Sequence, residues 1–158
     1  MVSRRDFNTI TLRYALLLIP QRNYANIGDL DDKTMASISA SNNVLSFSPK
    51  SGSYFYESFP CHDAIESGLL SLQFDILGPA GGSLGLELQT ASSCTDSTYK
   101  SSYITYGGLT GRTQTITLPW NSWTGANSRA IKSVVWFEFS NNDFNWKIGN
   151  VKFACTTK

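Results

Sequence analysis

From Ser71 to Phe153 the chain is written in short segments that alternate apolar and polar residues, separated by Gly, Asn, Ser and Pro. They are SLQFDIL (71–77), SLGLELQT (83–90), YITYGGL (103–109), TQTITLPW (113–120), SVVWFEFS (133–140) and NWKIGNVKFA (145–154). A period of two sends successive side chains to opposite faces of a strand, so each segment buries one face and wets the other. Several such strands at short spacing indicate a sheet-on-sheet sandwich or a barrel. No segment sustains a helical period, and there is no internal repeat.

The alternation also assigns the wet faces. Leu84, Leu86 and Leu88 share one face, which puts Glu87 and Gln89 on the other. By the same count Val135, Phe137 and Phe139 point one way, and Trp136, Glu138 and Ser140 the other. If both strands lie in one sheet, Glu87, Gln89, Trp136 and Glu138 form a surface of acids, an amide and an indole. Aromatic rings stack on the C–H faces of sugars, while carboxylates and amides take the hydroxyls. The competing reading covers this face with a loop or the N-terminal segment and leaves Trp136 as a second layer of core.

Earlier in the chain, TMASISA ends a polar stretch as a short strand, and VLSFSPK (44–50) is a strand closed by Pro49. Ser51-Gly52 marks a turn, and SYFYESF (53–59) reads as the other arm of a hairpin. Tyr54 and Tyr56 share one face of it, with Phe55, Glu57 and Phe59 opposite. Cross-strand tyrosines commonly stabilise sheets; these two become a rim of the candidate surface only if they border it. HDAIESG (62–68) suggests a single helical turn, Gly-Pro at 78–79 and Gly-Gly at 81–82 a tight connection, and 119–130 a long loop. In the loops, Trp120, Trp123 and Trp146, the last near Asn141, Asn142 and Asp143, suit a sugar site at one end of a sandwich. A Trp after Leu-Pro more commonly plugs that end.

At 158 residues the chain is long enough to bury a core without metal or disulfide help. Its formal net charge is +1 and only 16% of residues are charged, with no basic run, which leaves nucleic-acid binding little to work with. The three cysteines, Cys61, Cys94 and Cys155, allow one disulfide and one spare thiol in an oxidising compartment. Cys61 follows SYFYESF and Cys155 ends the last strand; if the first and last parts of the sandwich pair, Cys61–Cys155 is the bridge. The alternative leaves all three reduced. No zinc site is expected, since there is no C-x-x-C or Cys/His cluster.

Residues 1–23 carry Arg4 and Arg5 before an apolar stretch, but the unbroken run Tyr14–Ile19 is too short for a secretory or transmembrane segment. They read as a first strand or an extension joined to a larger protein, with the β-sandwich domain over 24–158. No N-x-S/T sequon occurs. Asp29, Asp31 and Asp32 offer hard oxygen donors for a structural Ca²⁺, without the spacing of an EF-hand. No other metal and no cofactor are expected.

The series L-x-F-D-I-x-G-P-x-G, L-x-L-E-L-Q-T, a Thr-rich strand ending L-P-W, V-V-W-x-x-F and I-G-N-V-x-F resembles the galactose-binding-like jelly roll shared by many carbohydrate-binding modules. The D-D-x-T-M opening, here Asp31-Asp32-Lys33-Thr34-Met35, is similar to that of β-sandwich domains in fungal secreted and cell-wall proteins. The likeness spans residues 24–155. It implies an all-β jelly roll of about eight to ten strands, secreted or at the cell wall, that binds a polysaccharide or glycan without acting on it. Such modules are often attached to a polysaccharide-degrading enzyme. The implied site has Trp136, Glu87, Gln89 and Glu138 at its centre, with Tyr54, Tyr56 and Trp146 as rim.

Two other classes stay open. A jelly-roll glycoside hydrolase would use Glu87 and Glu138, set about 5–5.5 Å apart for retention or about 6.5–9.5 Å for inversion, with one carboxyl raised to serve as the acid. His62 is the only histidine and has no nucleophile beside it; no G-x-S-x-G, P-loop or H-E-x-x-H motif occurs. A sandwich that binds protein rather than sugar would show a flatter apolar patch.

Overall fold

A computed structural model describes residues 32–157. The readings made for residues 1–23, and for Asp29 and Asp31, lie outside the described residues. Nine strands run through the rest: β1 Ser37–Ser41, β2 Val44–Ser48, β3 Tyr54–His62, β4 Ser71–Leu77, β5 Ser83–Thr90, β6 Lys100–Gly107, β7 Gln114–Pro119, β8 Ile131–Phe137 and β9 Trp146–Ala154. They form two antiparallel sheets, one ordered β1-β2-β9-β4-β7 and the other β3-β8-β5-β6. The fold is the all-β jelly-roll sandwich that the alternation and the resemblance lead one to expect.

The local chemistry explains the turns. Asn42 and Asn43 both take positive φ (51° and 61°) between β1 and β2, the left-handed pair that suits a two-residue hairpin and that Asn tolerates. After β2, the Pro49–Gly52 turn carries the chain across the sandwich. VLSFS and SYFYESF therefore lie in different sheets and are not arms of one hairpin. Ser53 pins the crossing: its hydroxyl accepts from the Lys50 amide at 2.6 Å and donates to the Thr34 carbonyl at 2.7 Å. Gly78 and Gly82 serve the β4–β5 crossing by leaving room for their neighbours. A Cβ on Gly78 would sit 2.4 Å from the Trp146 ring.

Between the sheets, Leu84, Leu86 and Leu88 from β5 meet Leu72, Phe74 and Ile76 from β4, all buried in one core. Trp136 is wholly buried among them. Its ring packs against Phe55 at 5.7 Å and edge-on against Phe74 of the opposite sheet at 5.9 Å. Each such side chain contributes about 1.5–3 kcal/mol by leaving water. Trp120 closes one end of the core, donating Nε1–H to the Leu69 carbonyl at 2.9 Å and stacking edge-on against Phe153. Trp146 is also fully buried, against Phe139, and donates to the Asn141 carbonyl at 2.9 Å.

The disulfide joins Cys61 to Cys94, with Cα atoms 5.3 Å apart, and Cys155 is a free, exposed thiol. This corrects the expected Cys61–Cys155 bridge, and the topology gives the reason. β9 does pair with β2, early in the chain, but Cys61 is the penultimate residue of β3, in the other sheet. There, Ile131 of β8 lies opposite His62 on one side and Thr90 on the other. The end of β3 and the loop leaving β5 thus flank the same residue, which brings Cys94 to Cys61.

Candidate ligand groove

The outer face of the four-stranded sheet is a set of rows fixed by register. Tyr56 lies opposite Val135, Val135 opposite Glu87, and Glu87 opposite Tyr103. One step along the strands the row is Tyr54, Phe137, Gly85 and Thr105; one step the other way it is Ser58, Ser133, Gln89 and Ser101. From β3 to β6 the face crosses three strand spacings, about 14 Å. It holds an open groove of about 640 Å³ whose walls include Tyr54, Tyr56, Tyr99, Phe137, Glu87, Gln89, Glu138 and Asp32.

Polar and aromatic groups divide this floor. Glu87 Oε1 accepts from Gln89 Nε2 at 2.8 Å and from the Ser101 hydroxyl at 2.5 Å. With both donors on one oxygen, Oε2 of Glu87 and the amide oxygen of Gln89 have no hydrogen-bond donor among the described residues and can accept from hydroxyls. The other half is ring surface. Tyr54 and Tyr56 stand 6.3 Å apart, and the Tyr54 hydroxyl donates to Asp32 Oδ2 at 2.5 Å. Phe137 lies over Gly85 and meets the edge of Tyr103 at 6.0 Å.

Tyr99 reaches the groove from the β5–β6 loop, which is held from several sides. The disulfide fixes Cys94. The Ser92 hydroxyl and the Thr98 amide and hydroxyl bond to the Asp96 carboxylate and hold its pKa down to about 2. Lys132 Nζ donates to the Asp96 carbonyl. Tyr99 remains 60% exposed, so its ring is presented rather than packed away.

The structure thus brings together Glu87, Gln89, Glu138, Tyr54 and Tyr56, five of the residues singled out from the sequence. Trp136 and Trp146 are corrected: both are at 0% exposure in the core and touch no ligand surface. Trp136 pairs with Leu86, and Val135 with Glu87, so Val135 and Phe137 take the outward parity. Glu138 follows them into the groove because its φ of +49° breaks the alternation at the end of β8, which returns Phe139 to the core. The run Val134–Phe137 is apolar at every position and does not fix its own phase; only pairing with β5 does. Glu57 is a further surprise. It faces inward on β3 opposite Val134, 6% exposed, and burial pushes its carboxyl up to about 8. Among the described residues no group of three or more His, Cys, Asp or Glu side chains could hold a metal ion. No helix among them is long and apolar enough to cross a membrane.

No protein-family model and no curated protein matches this sequence. Its fold does match solved structures. One is a family 11 carbohydrate-binding module from Clostridium thermocellum in complex with a β-1,3-1,4-mixed-linked tetrasaccharide, at 16% identity and a TM-score of 0.54, covering 77% of this chain and 82% of that one. Another is a family 30 carbohydrate-binding module, at 13% identity and a TM-score of 0.55, covering 77% and 74%. A third is the family 30 module of a cellulosomal cellulase of Clostridium thermocellum, at 13% identity and a TM-score of 0.52, covering 77% and 83%. At these identities the likeness establishes a shared β-sandwich.

Proposed function

We propose that this chain binds a polysaccharide or glycan, without cleaving it, in the groove of the β3-β8-β5-β6 sheet. The carrying observation is the juxtaposition on one open face of tyrosine rings from β3 and the β5–β6 loop with the Glu87–Gln89–Ser101 hydrogen-bonded set. Rings take the C–H faces of sugar units, and the free oxygens of Glu87 and Gln89 take their hydroxyls. The fold shared with modules that bind carbohydrate supports this reading.

A hydrolase would need one carboxyl in the groove poised as an acid. Glu57, the carboxyl that burial raises, faces the core beneath the groove. Work outside the cell is part of the proposal, supported by the Cys61–Cys94 disulfide, which persists in oxidising compartments. So is attachment to a polysaccharide-degrading enzyme, with a fungal wall or secreted setting as the resemblance of the D-D-x-T-M opening implies.

The test is a pull-down on insoluble β-glucan, chitin, xylan, mannan and cellulose with wild type, Tyr99→Ala and Glu87→Ala. Binding that both substitutions weaken, with no sugar released, supports the proposal. Absence of binding to every polysaccharide overturns it, and soluble sugar released by wild type replaces it with the hydrolase.

A further inference from the structure

The groove is charged in a way the chain as a whole is not. Asp32, Glu87 and Glu138 all line it, and no lysine, arginine or histidine does so among the described residues, although the full chain has a net charge of +1. The cations nearest in sequence and fold are turned elsewhere. Lys100, next to Tyr99, lies with Nζ against Gly125; Lys132 is bonded to the Asp96 carbonyl; Arg129 pairs with Asp63 at 3.4 Å. Lys33 follows Asp32 in a left-handed turn (φ 63°) and is not part of the lining. Acidic side chains of one sign along a groove with low-dielectric walls focus the field and raise the local concentration of cations. Tyrosine faces add to this, since their quadrupole attracts an ammonium lying over the ring.

Resting on the glycan-binding reading above, we infer that this groove selects a β-linked glycan bearing protonated amino groups, a glucosamine polymer, over neutral and acidic glycans. Such a chain offers both features at once: flat pyranose faces for Tyr54, Tyr56 and Tyr99, and ammonium groups for Asp32, Glu87 and Glu138. A polyuronate meets repulsion from the same three carboxylates. A neutral glucan or an N-acetylated chain gains the stacking and loses the charge pairing.

The test compares three β-1,4 hexamers that differ at the C2 substituent: glucosamine hexamer, N-acetylglucosamine hexamer and cellohexaose. Calorimetric titrations are run in mildly acidic buffer at about 0.1 M and about 1 M NaCl, where the screening length falls from about 10 Å to about 3 Å. The glucosamine hexamer is expected to bind about tenfold more tightly than the other two at low salt, and the advantage is expected to shrink at high salt. In Asp32→Asn/Glu138→Gln the ratio of glucosamine to cellohexaose affinity should fall toward one, whatever happens to the cellohexaose value itself. If cellohexaose binds as tightly as glucosamine hexamer at low salt, the charge selection is overturned while glycan binding stands. If none of the three binds and the polysaccharide pull-downs are also negative, the glycan-binding reading falls and takes the inference with it.

Discussion

Phe137 lies flat over Gly85: a Cβ built on that glycine would meet three carbons of the ring at 2.8–2.9 Å. The two residues are cross-strand partners of β8 and β5 in the centre of the groove face. An absent side chain on one strand thus makes the shelf on which the aromatic of its neighbour rests. The colliding atoms are the far end of a side chain, so the ring can swing away at modest cost.

Gly85→Ala is therefore expected to shift stability by no more than about 1–2 kcal/mol while lifting Phe137 off its shelf and into the groove. Affinity for whichever glycan the wild type retains should fall severalfold. Thermal melts and titration of the same sample separate the two effects, and an unchanged affinity would mean that Phe137 borders no ligand.

Trp136, placed on the ligand face by the strand pattern, lies in the core, while Tyr99 of the β5–β6 loop lines the groove. Truncating Trp136 leaves a large void between Phe55 and Phe74, and Trp136→Ala should cost about 3–5 kcal/mol in denaturant unfolding. Its effect on binding would report unfolding alone. Tyr99→Ala, at an exposed position, should leave the unfolding midpoint in place and weaken binding about tenfold, ~1.4 kcal/mol.

How far the site could be read in advance depended on where the pattern was unambiguous. Leu84, Leu86 and Leu88 alternate strictly with polar or small residues, so Glu87 and Gln89 fall on the outer face from sequence alone, and the structure puts them in the groove. Val134 to Phe137 carry no such contrast, and the phase chosen from Glu138 fails because that residue is left-handed. Tyr99 and Tyr103 became visible only through loop closure and the pairing of β6 with β5, neither of which a strand pattern encodes. The disulfide was missed for the same reason. Which strands share a sheet is a property of topology, and the chain crosses between sheets after β2.

Glu57 gives the fold a pH signature. Its carboxyl is raised from 4.5 to about 8 by the desolvation that burial imposes on the charged form. Between these values the folded chain keeps the proton and the unfolded chain releases it. The contribution is therefore fully present below pH 4.5 and is lost as pH rises through about 8, at up to about 1.4 kcal/mol per pH unit. Glu57→Gln keeps the shape and removes the titration. Urea unfolding between pH 5 and 8, about the window named, should show the variant gaining on wild type as pH rises. Parallel curves would mean that Glu57 is ionised or solvated in the native state.

The Cys61–Cys94 bridge ties the Tyr99 loop to the end of β3 and closes a loop with a sequence separation of 33. Closure of that length removes unfolded-state entropy equivalent to about 3–4 kcal/mol. Reduction, or Cys61→Ser/Cys94→Ser, should lower stability by that order and loosen the platform that presents Tyr99. Affinity should then fall while the contacts of Glu87 with Gln89 and Ser101 persist. The thiols supply an independent check. Native protein should take up a single alkylating group, at the exposed Cys155, and Cys61 and Cys94 should react only after reduction. Peptide mapping that found Cys61 joined to Cys155 would restore the pairing expected from the strand pattern. The ends of β3 and β9 do meet across the sandwich, with Phe59 and His62 both packed on Phe153, so that pairing would cost the loop bearing Tyr99 its tie to β3.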